Sequence, residues 1–164
     1  TETLWKEISA WKFNENFLKQ LIPMMQNRME TLGDLIEPCL FFFQREVSYN
    51  SQDLVPKDRS IEDIPGIIQT VMWALDELTI WSANEIEKAV HRVIQFWDWK
   101  IREVTGVLFV AIMGQHIGPP LYQSMHILGI DLCRRRLMNA LDASGGLGKK
   151  KLTKLEKSWQ NPQT

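Results

Sequence analysis

Between Ser82 and Trp97 the apolar residues Ile86, Ala89, Val90, Val93, Ile94 and Trp97 fall at i, i+3, i+4, i+7, i+8 and i+11. That spacing lays one stripe along a helix of 3.6 residues per turn. Ser82 and Glu85 precede it as an S-x-x-E capping box, which supplies side-chain partners for the first free amides. The same period recurs upstream in Ile64, Ile68, Val71, Met72, Leu75 and Leu78, with Pro65 near the start, where its missing N–H does least harm. It recurs downstream in Val104, Val107, Leu108, Ala111 and Ile112, ending near Gly114, and in Leu132, Arg136, Leu137, Ala140 and Leu141, stopped by Gly145-Gly146. No stretch sustains a period of two, so the chain is expected to be all-α.

The N-terminal part is less regular. Phe17, Leu18, Leu21, Ile22, Met25, Met29 and Leu32 suit a helix with a kink or break at Pro23. After Gly33-Asp34, the run from Leu35 to Phe43 is expected as a strongly apolar helix. The polar segment 48–60, SYNSQDLVPKDRS, reads as a subdomain boundary. This gives 1–47 as one partial helical subdomain, 48–60 as a connection, 61–143 as a second helical subdomain, and 144–164 as a basic flexible tail. Since the chain begins at Thr1, it reads as a piece of something longer.

Composition enters chiefly by exclusion. With 164 residues and 45% hydrophobic content, the chain can bury a core without disulfide support. Two cysteines, Cys39 and Cys133, do not make a secreted framework. No apolar run approaches the roughly 18 residues of a membrane helix, and no signal peptide is visible. The net charge of -1 divides unevenly. The residues after 147 carry five Lys and one Glu, or +4, leaving -5 for the rest. Such a tail is ordinarily a solvated end.

Catalytic chemistry is nearly absent from the pattern. His91, His116 and His126 lack ligand-spaced partners, and a zinc site needs three or four ligands. Cys39, inside LIEPCLFFF, is expected to be buried and unreactive. Gly145-Gly146-Leu147-Gly148-Lys149 follows a helix rather than a strand, so it is no phosphate loop.

Three segments together resemble the C-terminal anticodon-binding region of glutamyl-tRNA synthetases, over about Phe17 to Ala143. In FLKQLIPMMQNRMETLGDLIEPCLFFF, Arg28, Thr31 and Leu32 fit the family's Arg-x-x-Thr-Leu segment. In LTIWSANEIEKAVHRV, Trp81, Ser82, Ile86 and Glu87 fit its Trp-Ser-x-x-x-Ile-Glu helix start. In WKIREVTGVLFVAIMGQHIGPPLYQSMHILGIDLCRRRL, Lys100, Val104, Leu108, Ala111, Gly114, Pro119, Leu121, Leu128, Gly129, Arg136 and Leu137 fit its terminal pattern. The resemblance implies two small helical subdomains forming an anticodon-binding bundle. It further implies a parent enzyme joining glutamate to tRNA with ATP and magnesium at a catalytic domain that this chain lacks. The chain itself is expected to be non-catalytic, metal-free, monomeric and cytoplasmic, or organellar-matrix. Its tRNA would be the glutamate acceptor, with the glutamine acceptor as a further candidate. Gln115-His116-Ile117-Gly118 holds three letters of the HIGH signature of class I synthetases, but Pro119 follows and no KMSKS-like run exists, so the match is a coincidence.

Anticodon bases are single-stranded and can be splayed, stacked and read on their edges. The resemblance gives Arg28 a contact to the third anticodon base. Retention of Arg rather than Gln there goes with enzymes that discriminate for glutamate tRNA. Without the resemblance, Arg28 is a surface residue beside Glu30 and Asp34. The loop from Gly114 to Leu121, with Gln115, Gly118 and Pro119, corresponds to the family's loop approaching the first two bases. Read alone, it is a plain helix connection. Phe109 is a departure, because the family usually carries Arg there and Pro at the place of Val107. Phe109 can stack on a base but cannot donate a hydrogen bond, and it could equally face the core. Lys100, Arg102 and Arg135 are candidates for phosphate contact, with Arg134, Arg136 and the tail lysines as further cations. Arg134 to Arg136 lie on one helical turn and cannot all face one way. The alternative function is a helical protein-interaction module that has lost specific tRNA binding. It would use an exposed patch drawn from Trp5, Trp11, Trp73, Trp97, Trp99 and Trp159.

Overall fold

The computed structural model describes residues 15–26 and 36–161. Arg28, Thr31, Leu32, Trp5 and Trp11 lie outside the described residues. The main helices are α1 Glu15–Met25, α2 Ile64–Asp76, α3 Ala83–Trp97, α4 Ile101–Met113, α5 Leu121–Leu128, α6 Ile130–Ala143 and α7 Lys149–Gln160. Among the described residues there is no strand, in keeping with the all-α expectation.

Helix α2 is the centre of the packing. Ten of its residues are buried, from Ile64 to Leu75, so it is apolar nearly all round. Helices α3 and α6 flank it, α5 lies against α3, and α4 lies against α6. Gly66 lets α3 come close, since a Cβ there would sit 2.7 Å from the Trp97 ring. The Trp97 indole N–H donates to the Thr70 hydroxyl at 2.9 Å. Ser82 caps α3 as its sequence indicates, accepting the Glu85 amide at 3.3 Å.

The segment Leu35 to Phe43 departs from the expected single helix. It is one α turn, Ile36–Cys39, continued as a 3-10 turn, Leu40–Phe43. Pro38 supplies no N–H, so it cannot extend an i→i−4 ladder. The tighter turn buries Phe41 and Phe42 together, ring centroids 4.1 Å apart. The polar stretch 48–60 holds a 3-10 turn, Ser51–Leu54, whose Leu54 is 1% exposed. One buried core therefore runs from Leu21 and Phe41 through Leu54 to Leu137 and Ala140.

The tail is a correction. The sequence reads as a flexible end, yet Lys149–Gln160 forms a helix. Leu152, Leu155 and Trp159 share one face at helical spacing, and Trp159 packs edge-on against Phe96, centroids 5.2 Å apart. The described tryptophans Trp73, Trp81, Trp97, Trp99 and Trp159 are all buried or half-buried, so none offers a fully exposed ring for a docking patch.

Candidate nucleic-acid interface

The loop between α4 and α5 opens at Gly114, which closes α4 in the left-handed region at φ 73°. Its amide donates to the Val110 carbonyl at 2.8 Å. A side chain there would meet Val47 Cβ at 3.0 Å and the Ser48 carbonyl at 3.2 Å, so both conformation and space favour glycine. The loop then folds back over the end of α4. A Cβ on Gly118 would lie 2.7 Å from Met113 Sδ, 3.0 Å from Gln115 Nε2 and 3.8 Å from Phe109 Cε1. Phe109, Gln115 and Gly118, separate in sequence, are thus brought together.

Exposure within this loop is uneven. Phe109 is half-buried and packs against the core. Pro119 is buried and Leu121 is 6% exposed, because Leu121 begins α5 on its inward side. A base cannot rest on Leu121 without rearrangement. The exposed tip belongs instead to His116 and to Ile117, which is 85% exposed. Neither stands out in the sequence as a contact. Flanking glycine and prolines around an isolated Ile were the available signal.

A cleft of about 570 Å³ runs beside the loop. Arg102, His116, Lys57, Asp53 and Asp58 line it, so its rim carries both signs of charge. His116 Nε2 stands 3.9 Å from Asp53 Oδ1. At its base, Glu103 accepts from Arg59 at 2.9 Å and from the Lys100 amide at 2.8 Å. The Arg59 hydrogen bond, then the Lys100 amide, hold the Glu103 carboxyl below its ordinary value. Arg59 also lies over the Trp99 ring at 4.2 Å. Lys100 and Arg102 are both exposed at the start of α4. Arg135 is exposed on α6 and does not line this cleft. Arg134 pairs with Asp76 at 3.2 Å.

Arg136 faces inward and is only 1% exposed, so it is withdrawn from the phosphate candidates. Its guanidinium donates to the carbonyls of Ile112, Phe41 and Gln44, the Phe41 contact at 2.6 Å. Burial pushes it down to about 10, far enough above neutral pH to keep it charged. Arg136 therefore fastens the last turn of α4, just before Gly114, to the turn carrying Phe41. The sequence held the signal, because Arg136 falls on the apolar stripe of α6.

Burial pushes the Cys133 thiol up to about 12 and the Cys39 thiol up to about 11. Among the described residues, no group of three His, Cys, Asp or Glu could hold a metal ion. No helix among them is long and apolar enough to cross a membrane.

Comparison with known proteins agrees with this geometry. A family model described as "Anticodon binding domain" matches residues 3–141. A glutamate–tRNA ligase from Protochlamydia amoebophila is 35% identical over 97% of this chain. One from Psychrobacter cryohalolentis is 35% identical over 95%. The chain spans about a third of these relatives' length, 32% and 31% respectively. A crystal structure of a glutamate tRNA ligase from Elizabethkingia meningosepticum shares the fold, with TM-score 0.70 and 16% identity over 86% of this chain and 28% of that one. The family match over residues 3–141, most of the chain's length, shows that the chain belongs to the anticodon-binding domain family, and the all-helical bundle accords with it.

Proposed function

We propose that this chain binds the anticodon arm of glutamate tRNA on behalf of a glutamate–tRNA ligase. The observation that carries the reading is the anticodon-binding match over 3–141, together with glutamate–tRNA ligase relatives aligned along nearly all of the chain. In this reading Arg28 reads the third anticodon base. Gln115, Gly118 and Pro119 bring backbone and amide groups to the first two bases, and Phe109 offers the edge of its ring. The exposed Ile117 and His116 supply the apolar and polar surface that the buried Leu121 does not. Lys100, Arg102 and Arg135 neutralise phosphates, and the retained Arg28 favours the glutamate acceptor over the glutamine acceptor. The division at 48–60 into two anticodon-binding subdomains belongs to this reading, as do a monomeric state and a cytoplasmic location.

ATP and magnesium belong to the ligase reaction of the whole enzyme. Among the described residues no group of three His, Cys, Asp or Glu could hold the metal, and no step here runs through either. A gel-shift titration with transcribed glutamate tRNA tests the reading. Arg28→Ala and a changed third anticodon base should each weaken binding about 5- to 150-fold, the range for one good Arg–base contact. Equal binding to tRNAs with unrelated anticodons would refute specific reading. It would favour instead a helical module that has lost this recognition, a reading suited to Phe109 in place of Arg.

A further inference from the structure

Helix α7, Lys149–Gln160, lies beyond the residues that the family match covers. Its two faces have opposite chemistry. Leu152, Leu155 and Trp159 are half-buried, and Trp159 packs against the core. Trp159 donates to Glu77 Oε1 at 3.1 Å, packs on Phe96, and lies under the Arg92 guanidinium at 4.7 Å. Arg92 is itself held by Glu77 at 2.6 Å. On the opposite side, Lys150, Lys154 and Lys157 recur at i, i+4 and i+7, all exposed. At 100° per residue their stripe lies about half a turn from the docked one, and at 1.5 Å rise it is about 10 Å long. None of the three has an ion pair among the described residues. Glu156, the sole acid of the helix, falls closer to the docked face.

We propose that α7 is a docked basic arm that grips the phosphodiester backbone of the bound RNA. The docking fixes where its charges stand, which a solvated tail could not do. The exposed stripe offers lysines with no aromatic, arginine or apolar anchor between them. Protein interfaces deplete lysine and rely on aromatic and arginine anchors, so the stripe suits a polyanionic backbone better than a protein. Lysine acts on phosphate as a point charge and reads no base, so the arm adds affinity without selectivity. This rests on the tRNA reading above for the identity of the RNA.

The test uses the full 164-residue chain and a triple variant, Lys150→Gln with Lys154→Gln and Lys157→Gln. Three probes are titrated across salt: glutamate tRNA, the same transcript with an altered third anticodon base, and a polyglutamate peptide. Losing two to three phosphate contacts flattens the dependence of log K on log salt by about 2–3. Between 50 and 200 mM salt the unaltered chain should then lose about 16- to 64-fold more affinity than the variant. The ratio between the two tRNAs should not change, and the corresponding triple Arg variant should keep the steep slope. An unchanged slope in the Gln variant overturns the arm, as does an Arg variant that behaves like Gln. Polyglutamate binding as tight as RNA, with the same lysine dependence, overturns it in favour of an acidic protein partner. If the unaltered chain does not distinguish the two tRNAs, anticodon reading fails, while a lysine-dependent salt slope still supports the arm.

Discussion

Replacing Arg136 by Met should destabilise the fold well beyond the effect of an ordinary helix substitution. Met keeps the length and the apolar stem but removes every donor. Two of the three carbonyls, those of Ile112 and Phe41, are buried at their contact with Arg136, while that of Gln44 is only partly so. A buried acceptor left unpaired costs about 1–3 kcal/mol, and Gln44 can turn to water. The loss is partly offset, because the variant no longer buries a cation. Burial already presses that cation down to about 10, and its Nε finds no partner among the described residues. The balance is about 2–4 kcal/mol, a large share of the roughly 5–15 kcal/mol that holds a domain folded. With a urea m-value of about 2 kcal/mol/M, the midpoint should fall by about 1–2 M. Hydrogen exchange should rise first at 41–44 and 112–116, the two segments the guanidinium joins. Arg136→Lys should recover only part of the loss, since a single ammonium cannot reach three carbonyls as a planar fork does. A midpoint shift under about 0.3 M for the Met variant would sink the idea that Arg136 is a staple.

Other perturbations follow from the same geometry. Glu103 has a depressed carboxyl, so its contribution is fully present above its ordinary value of 4.5 and is lost as pH falls through the lower native value. Thermal melts of Glu103→Gln should show lower stability at neutral pH and a shallower acid fall below 4.5 than the parent. Gly114→Ala meets backbone at 3.2 Å as well as a positive φ and should cost about 1–2 kcal/mol. Gly118→Ala meets side-chain atoms of Met113, Gln115 and Phe109 but no backbone, at no positive φ, and should cost less. The reverse order, read by denaturant midpoints, would count against the packing described for the loop. Trp159→Ala should release α7, lowering far-UV helix signal by about its 12 residues while the main melting transition persists. Retention of the full helical signal would mean that Leu152 and Leu155 suffice to dock it.

Sequence by itself determined four helices of the central bundle, those built on the stripes at 64–78, 82–97, 104–112 and 132–141, but not α5. Local rules sufficed there: a 3.6-residue period over Ile86 to Trp97, the cap at Ser82, and the stop at Gly114 each involve residues within a few positions. It also carried the family likeness, through short motifs kept in order. Which side of a helix met which partner was decided only by tertiary structure. Arg136 sits on the apolar stripe of α6, but what satisfies its charge there is supplied only by distant carbonyls, those of Phe41 and Gln44, 95 and 92 residues away. Leu121 looks like an available loop residue until α5 turns it inward. The tail looks solvated until Phe96, Glu77 and Arg92 provide a seat for Trp159. In each case the deciding energy comes from desolvation and hydrogen bonding between distant segments, which no local spacing encodes.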